Sequence, residues 1–402
     1  MTTDVGGGSL SQCSIAGTDI RNLVIMMDYY ESVYSPTVSV AFKLSDSAGF
    51  YQGLQKGGGE DVELTFGNRS GQTIRLKLKT AKIGDRTRSK ENQDFYVINC
   101  VSDEFIKNNN KEIVKPYKNK KVSDMVSEWH KTYTEGSTTL KKDLATNEST
   151  EGNQDYVGVG RSPITAIRWG AKEGKSSEAK ASNYVYYQDR DGYHFKTIQK
   201  MLDGSPIATL SYAQQNIGSA GGNPADRIIS FDQQTDTNQL DSTYNGASSD
   251  HWYYYDPTTG KIAGGSKRSD EEQTERGQRF NFVVAPGASK SKFRDSRDPK
   301  VAETKRRVQE HGAETSAANR LDNMVINVRV PGDVKYKPGI KLTLNIPANQ
   351  EANQLDKRSG EFLVTSVRHI IYKDDKDVKF DTMLQCKKDN KPQSSSGAGG
   401  FV

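Results

Sequence analysis

Alternation of apolar and polar positions dominates the first hundred residues. Thr37-Val38-Ser39-Val40-Ala41-Phe42-Lys43-Leu44 alternates with period two, the pattern of a half-buried strand. Val62, Leu64 and Phe66 repeat it, as do Ile74, Leu76 and Leu78, and Tyr96-Val97-Ile98-Asn99-Cys100 makes a further strand. Gly57-Gly58-Gly59 and Asn68-Arg69-Ser70-Gly71 separate these runs as turns. Short strands at this spacing predict a small β-barrel over residues 13–110, after a Gly/Ser-rich flexible leader over 1–12.

The period then changes. Val122, Met125, Val126, Trp129 and Tyr133 fall on one face of a helix that has Ser123 near its start. The lysine-rich run before it, residues 107–121, reads as a solvated linker, and the polar stretch 134–157 as loop. Ser162 as N-cap and Pro163 at the first helical position open a second helix. Ile164, Ile167 and Ala171 form its inner stripe, and Gly174 ends it. Tyr184-Val185-Tyr186-Tyr187 and Tyr193-His194-Phe195-Lys196-Thr197-Ile198 flank Asp189-Arg190-Asp191-Gly192, a hairpin signature. Residues 111–205 therefore form an α+β lobe.

Strand signals return at residues 324–330, 340–344, 362–364 and 382–386. With residues 206–240 they make a second, discontinuous barrel over 206–240 and 322–390. Between lies an inserted lobe, 241–321, with a hairpin-like pattern at Trp252-Tyr253-Tyr254-Tyr255 and Lys261-Ile262. It continues with a strand at Phe280-Asn281-Phe282-Val283-Val284 and a charged helix over 299–321. Residues 391–402 are a Ser/Gly tail ending in Phe401-Val402. The fold class is mainly β with α+β lobes: two small β-barrels in one chain plus two accessory lobes.

The two barrel regions share one plan. Val62-Glu63-Leu64-Thr65-Phe66 aligns with Ile340-Lys341-Leu342-Thr343-Leu344, and Leu76-Lys77-Leu78-Lys79-Thr80-Ala81 with Phe362-Leu363-Val364-Thr365-Ser366-Val367. Tyr96-Val97-Ile98-Asn99-Cys100 aligns with Thr382-Met383-Leu384-Gln385-Cys386. A chain carrying two equivalent units can form a ring with twice as many units as chains, which suits a protein joining a threefold partner to a sixfold one.

Several of these features occur in a familiar order: the early barrel, the helix of Met125 and Tyr133, Ser162-Pro163-Ile164, and then residues 193–198. Val330-Pro331-Gly332-Asp333, Lys337-Pro338-Gly339-Ile340 and Gly360-Glu361-Phe362-Leu363-Val364 follow. The ordered set, rather than any single motif, resembles the baseplate hub subunit of T-even-like contractile-tailed phages. The resemblance implies a homotrimer whose two barrels per chain build a pseudo-sixfold ring. It implies partners as well: a separate central spike protein, tail tube or tube-initiator proteins, and baseplate wedge proteins. Genomic DNA would pass through the ring without specific binding. It places the protein in the virion tail, assembled in the host cytoplasm. The alternatives are a tail-tip cell-wall hydrolase, which needs paired carboxylates roughly 5–9 Å apart, and the hub of a phage-derived injection device.

Composition narrows the chemistry. Lys+Arg number 56 against 51 Asp+Glu, a net charge of +5, with both signs mixed along the chain. This is not the one-faced basic charge of a dedicated nucleic-acid binder. No apolar run approaches a membrane span, and residues 1–8 lack the basic and apolar regions of a secretory signal. The three cysteines, Cys13, Cys100 and Cys386, include no CxxC pair, so neither a disulfide framework nor a zinc ribbon is expected. The histidines, His130, His194, His251, His311 and His369, show no metal-ligand spacing. Asp232, Asp236 and Asp241 read as a solvated loop, and the glycines at 218–222 as a turn. We expect no enzyme activity and no cofactor. The candidate protein-interface residues are Phe401 and Val402 in the tail, Tyr253 and Tyr254 in the aromatic run, and Lys118 and Lys120 in the basic run. The tail has little to bury beyond Phe401, so its ordering requires backbone pairing with a neighbour or the spike.

Overall fold

A computed structural model describes residues 6–54, 58–89, 93–179, 181–212, 224–235, 249–256, 261–268, 278–284, 321, 324–348, 355–374 and 377–388. Contacts divide the chain into two units: Met1–Asp232 with Asn327–Cys386, and Gln233–Ile326 with Lys387–Val402.

The first unit is built on one long sheet. Its early strands are β1 (Gly8–Ile15), β2 (Thr18–Asp19), β3 (Val24–Ser32), β4 (Ser39–Asp46), β5 (Asp61–Asn68), β6 (Thr73–Arg88) and β7 (Asp94–Val101). The lobe follows: α1 (Asp103–Lys107), β8 (Ile113–Lys120), α2 (Val122–Thr134), β9 (Leu144–Asn147), β10 (Gln154–Arg161), α3 (Pro163–Glu173), β11 (Tyr184–Asp189), β12 (Gly192–Thr197) and α4 (Ile198–Leu202). Next are β13 (Pro206–Ser211), β14 (Ser230–Thr235), β15 (Ser249–Asp256), β16 (Lys261–Arg268) and β17 (Gln278–Val284). The chain closes with β18 (Met324–Pro331), β19 (Lys341–Asn345), β20 (Gly360–Lys373) and β21 (Val378–Lys388). The fold is mainly β with α+β lobes.

Strand order reveals the duplication. The sheet runs β14-β18-β21-β20-β3-β4-β7-β6-β5-β1-β2, with β19 pairing both β20 and β13. One half is therefore β3-β4-β7-β6-β5-β1 and the other β14-β18-β21-β20-β19-β13. Setting the two-residue β2 aside, each half uses its six strands in the same permutation. Register follows the sequence alignment: Leu64 lies opposite Leu76 in the first half, and Leu342 opposite Phe362 in the second. The halves differ at one edge, where β1 is antiparallel to β5 but β13 is parallel to β19.

The expected closed barrels are not what the ladders form. Among the described residues no ladder joins β1 back to β3 or β13 back to β14. The long strands explain this. β20, of 14 residues, pairs β19 with its first residues and then runs on to pair β3 of the other half. Hydrogen-bonding capacity that could close one barrel instead joins the two halves. β1 starts at Gly8, inside the stretch that reads as a leader.

Burial follows the alternation. Leu64, Phe66, Leu76, Leu78, Ile98 and Cys100 are buried in the first half, as are their counterparts Leu342, Leu344, Phe362, Val364, Leu384 and Cys386 in the second; Val62 is buried where its counterpart Ile340 is half-buried. Phe380 and Ile371 of the second half pack into the core of the first. Burial pushes the thiols of Cys13 and Cys386 up to about 12, so they behave as small apolar groups.

The lobe has a separate core. Val122, Met125, Val126, Trp129 and Tyr133 of α2 are all buried, against Ile164 and Ile167 of α3. The two helices approach closely at Gly170, where a Cβ would stand 3.1 Å from both Val122 and Val126. Pro163 begins α3, and the Gly174 N–H donates to the Gly170 carbonyl at its end. The α2 N-cap is Lys121, and Ser123 lies in the first turn, where its side chain meets Thr150.

Two loop expectations give way to strands. The lysine-rich run contains β8, and the stretch 134–157 contains β9 and the first half of β10. Every polar residue of β8 lies on an exposed or half-exposed position while Ile113 and Tyr117 face inward, so charge there marks one face of a strand. In the second unit β15 pairs antiparallel with β16, Asp256 opposite Lys261, and parallel with β17. All but the last residue of the helix expected over 299–321 lies outside the described residues.

Candidate assembly surfaces

The joint between the two halves shows how this sheet recognises a strand. β3 and β20 pair antiparallel from Ser32 opposite Ser366 to Met26 opposite Tyr372. Side chains reinforce the ladder. Arg368 donates through Nε and Nη2 to both Asp28 oxygens, at 3.0 and 2.9 Å, and its guanidinium lies 5.4 Å from the Tyr30 ring centroid. On the other face Tyr29 stacks on His369 at 6.0 Å. Planar bidentate pairing of this kind fixes register as well as adding stability.

Two strand edges have no such partner among the described residues. β6 has 16 residues; β5 covers one edge as far as Lys79, and β7 covers the other edge to Arg88. Beyond Thr80 the first edge meets no ladder. The residues there are exposed or half-exposed; Lys82, Asp85, Arg86 and Arg88 carry its charge, and both arginines pair with Asp94 of β7. β14 ends the sheet order among the described residues, beside β18, and Asp232 on it is exposed. Asp232 thus lies in a strand rather than in the solvated loop expected; Asp236 and Asp241 lie outside the described residues.

A buried carboxylate helps fix the lobe to the sheet. Glu104 of α1 follows directly on β7 and is fully buried. It accepts hydrogen bonds from the hydroxyls of Tyr193, Ser137 and Thr139 and from Gln188 Nε2. Gln188 also reaches the sheet, accepting from Val38 N–H and Ser102 Oγ at 3.1 and 2.6 Å. The turn of the β11–β12 hairpin makes a second attachment, where Arg190 N–H donates to Glu31 at 2.7 Å and Tyr29 Oη donates to the same oxygen. Burial pushes the Glu31 carboxyl up to about 7, against the pull of the nearby Arg190 charge.

His130, His194 and His369 are packing groups. His130 lies 2.8 Å from Tyr186 Oη and 2.9 Å from the Lys142 carbonyl, and burial lowers its pKa. His194 is held between Asp189 and Thr146 at 3.0 and 3.1 Å. His369 is driven down to about 3 by burial and by the Arg190 charge, so it is neutral, and Nδ1 lies 2.9 Å from Thr382 Oγ1. Among the described residues no group of three His, Cys, Asp or Glu is placed to hold a metal ion, and no helix is long and apolar enough to cross a membrane.

The residues singled out from sequence are scattered. Lys118 is exposed on β8. Lys120 is paired within the chain, its Nζ 2.5 Å from Glu128 Oε1. Tyr253 and Tyr254 sit in β15, in register with Gly264 and Ala263 on one side and Phe282 and Val283 on the other. Phe401 and Val402 lie outside the described residues. Sequence reasoning missed the outer face of the β8–β10 ribbon, where Val114, Val157 and Val159 are 74, 65 and 75% exposed. It also missed the two open edges. The length of β6 beyond its β5 partner was the only available signal.

Two solved tail proteins share the fold of this duplicated sheet with its α+β lobe. The tail protein from Neisseria meningitidis MC58 superposes with a TM-score of 0.60 at 13% identity, over 95% of this chain and 97% of that one. The 43 kDa tail protein of prophage MuSo2 from Shewanella oneidensis gives 0.59 at 10% identity, over 94 and 98%. No protein-family model matches the sequence, and no curated protein matches it significantly. At these identities the likeness is one of fold, and function must be argued from the surfaces.

Proposed function

We propose that this chain is a structural component of a phage tail baseplate: the homotrimeric hub of a contractile tail. Three chains form a ring that presents six near-equivalent sheet halves to a sixfold tail tube and threefold symmetry to a central spike. The ring surrounds an axial passage for DNA, and the protein acts by geometry rather than by catalysis. Its partners are itself, the spike, tube or tube-initiator proteins and the surrounding wedge. It resides in the virion tail and is assembled in the host cytoplasm.

The observation that carries this reading is the repeated strand order within one chain, which supplies two equivalent positions per subunit. The full-length likeness to two solved tail proteins, one of them from a prophage, supports the setting. The test is mass in solution. Light scattering after size exclusion should give about three times the 44.5 kDa chain mass. A chain that stays monomeric at every concentration overturns the proposal. A lytic band on a peptidoglycan zymogram would overturn its non-enzymatic part.

A further inference from the structure

Polar atoms without partners gather where the lobe meets the sheet. Buried polar groups almost always find a hydrogen-bond partner, and an exception calls for an explanation. Glu31 Oε2 on β3, His369 Nε2 on β20 and Arg190 Nη1 in the β11–β12 turn are all buried, and none has a hydrogen-bond partner among the described residues.

The fold brings these three groups to one joint. Glu31 lies opposite Val367, and Tyr29 opposite His369. Glu31 and His369 are therefore diagonal neighbours on one face of the β3–β20 ladder. The lobe hairpin lands on that face, where the Arg190 N–H donates to Glu31 Oε1 at 2.7 Å. Burial raises the Glu31 carboxyl and the Arg190 charge pulls against it, while burial and the same charge lower His369. Arg190 thus sits close to both groups, yet its Nη1 and Glu31 Oε2 stand beyond hydrogen-bond reach of each other. The neighbouring charges are committed elsewhere. Asp189 holds His194 at 3.0 Å and the Asp191 N–H at 2.8 Å, Asp191 holds Lys337 at 2.8 Å, and Tyr29 Oη donates to Glu31 Oε1.

We propose that this joint binds one ordered water molecule, held by Arg190 Nη1, His369 Nε2 and Glu31 Oε2, which ties the lobe hairpin to both halves of the sheet at once. The site lies within one chain and does not depend on the hub reading.

The hydrogen-bond roles balance around a water. Thr382 Oγ1 accepts from the Asp333 N–H, so its own proton goes to His369 Nδ1, 2.9 Å away. The neutral ring then carries its proton on Nε2. Nε2–H and Nη1–H are two donors, matching the two lone pairs of a water. Its two protons go to the ionised Glu31 Oε2 and to the Tyr336 backbone carbonyl, which faces the His369 ring and favours its protonated form. Buried waters typically make two to four such bonds. The charges select a neutral ligand, since Arg190 opposes a cation and Glu31 an anion. Leaving three buried groups unpaired costs more than immobilising one water.

Diffraction from the full chain tests the site, with crystals grown at about pH 8, above the value of about 7 to which burial pushes Glu31. The expected result is a single density peak about 2.7–3.2 Å from each of the three atoms. A crystal soaked in bromide should show no anomalous signal at that position. In solution, nitrogen-15 labelling of the histidines should find His369 neutral with its proton on Nε2. Arg190 in direct contact with Glu31, with no density between them, would overturn the proposal. An anomalous bromide peak would overturn it too, by making the ligand an anion. A ring proton on Nδ1 would do the same, because it removes one of the two donors.

Discussion

Removing the Glu104 side chain should loosen the lobe from the sheet. Glu104 sits at the start of α1, and the hydroxyls of Tyr193, Ser137 and Thr139 all donate to it from the lobe. Glu104→Ala leaves these donors buried without an acceptor. Each such group costs about 1–3 kcal/mol, and some relief comes from hydroxyls turning toward one another. The same truncation opens a cavity. A total of about 3–5 kcal/mol is expected from the unsatisfied donors and the cavity together. Glu104→Gln keeps one carbonyl acceptor and should lose about half as much. Trp129 and Trp169 report on the lobe directly, their rings 6.2 Å apart in its core. A Trp252→Phe background removes the third tryptophan of the chain. Urea unfolding followed by fluorescence should then show the midpoint falling by roughly 2–3 M for Glu104→Ala, at a slope of about 1.5 kcal/mol per M. A lobe already unfolded without urea agrees with the argument, and Glu104→Gln then supplies the measurable midpoint. A shift under about 0.5 M for both variants would refute the claim that this carboxylate holds the lobe.

Further predictions follow from the same contacts. Burial raises the Glu31 carboxyl from 4.5 to about 7, so the folded chain keeps a proton that the unfolded chain releases between those values. Its contribution to stability is present below pH 4.5 and is lost as pH rises to 7, at about 1.4 kcal/mol per pH unit. Stability measured at each pH should therefore show Glu31→Gln gaining on the parent by up to about 3 kcal/mol over this window; a pH-independent difference would contradict it. Gly332→Ala places a Cβ 2.1 Å from Cγ of the buried Phe380. It should cost about 1–3 kcal/mol in thermal unfolding, and an unchanged midpoint would show that the Phe380 ring shifts freely. Val157→Ser on the exposed ribbon should leave unfolding within about 0.5 kcal/mol of the parent, which calorimetry can check.

The sequence carried the parts of this fold that repeat with a clear period. The α2 face, the Ser162-Pro163 start and Gly174 end of α3, and the hairpin turn at residues 189–192 all depend on local chemistry, and all are present. The duplicated strands were legible because buried positions alternate on one face and recur in the same order, down to Cys100 and Cys386. Strands with mixed composition were not. β8 carries three lysines among its eight residues yet pairs β10, because neighbours on one face decide whether a charged run stays solvated. Closure also escaped the sequence, since where the far part of β20 finds its partner depends on a contact with β3, more than three hundred residues away in the chain. The open strand edges were hidden for the same reason. An open edge is defined by strands that do not reach it, and no residue type marks it.

The central claim is that two equivalent halves per chain build a ring of threefold symmetry. Electron microscopy of the purified assembly, with class averages viewed down the axis, measures this directly. The account predicts rings of three chains whose walls show six nearly equal segments. Rings of six chains, twofold dimers, or particles with no rotational symmetry would contradict it.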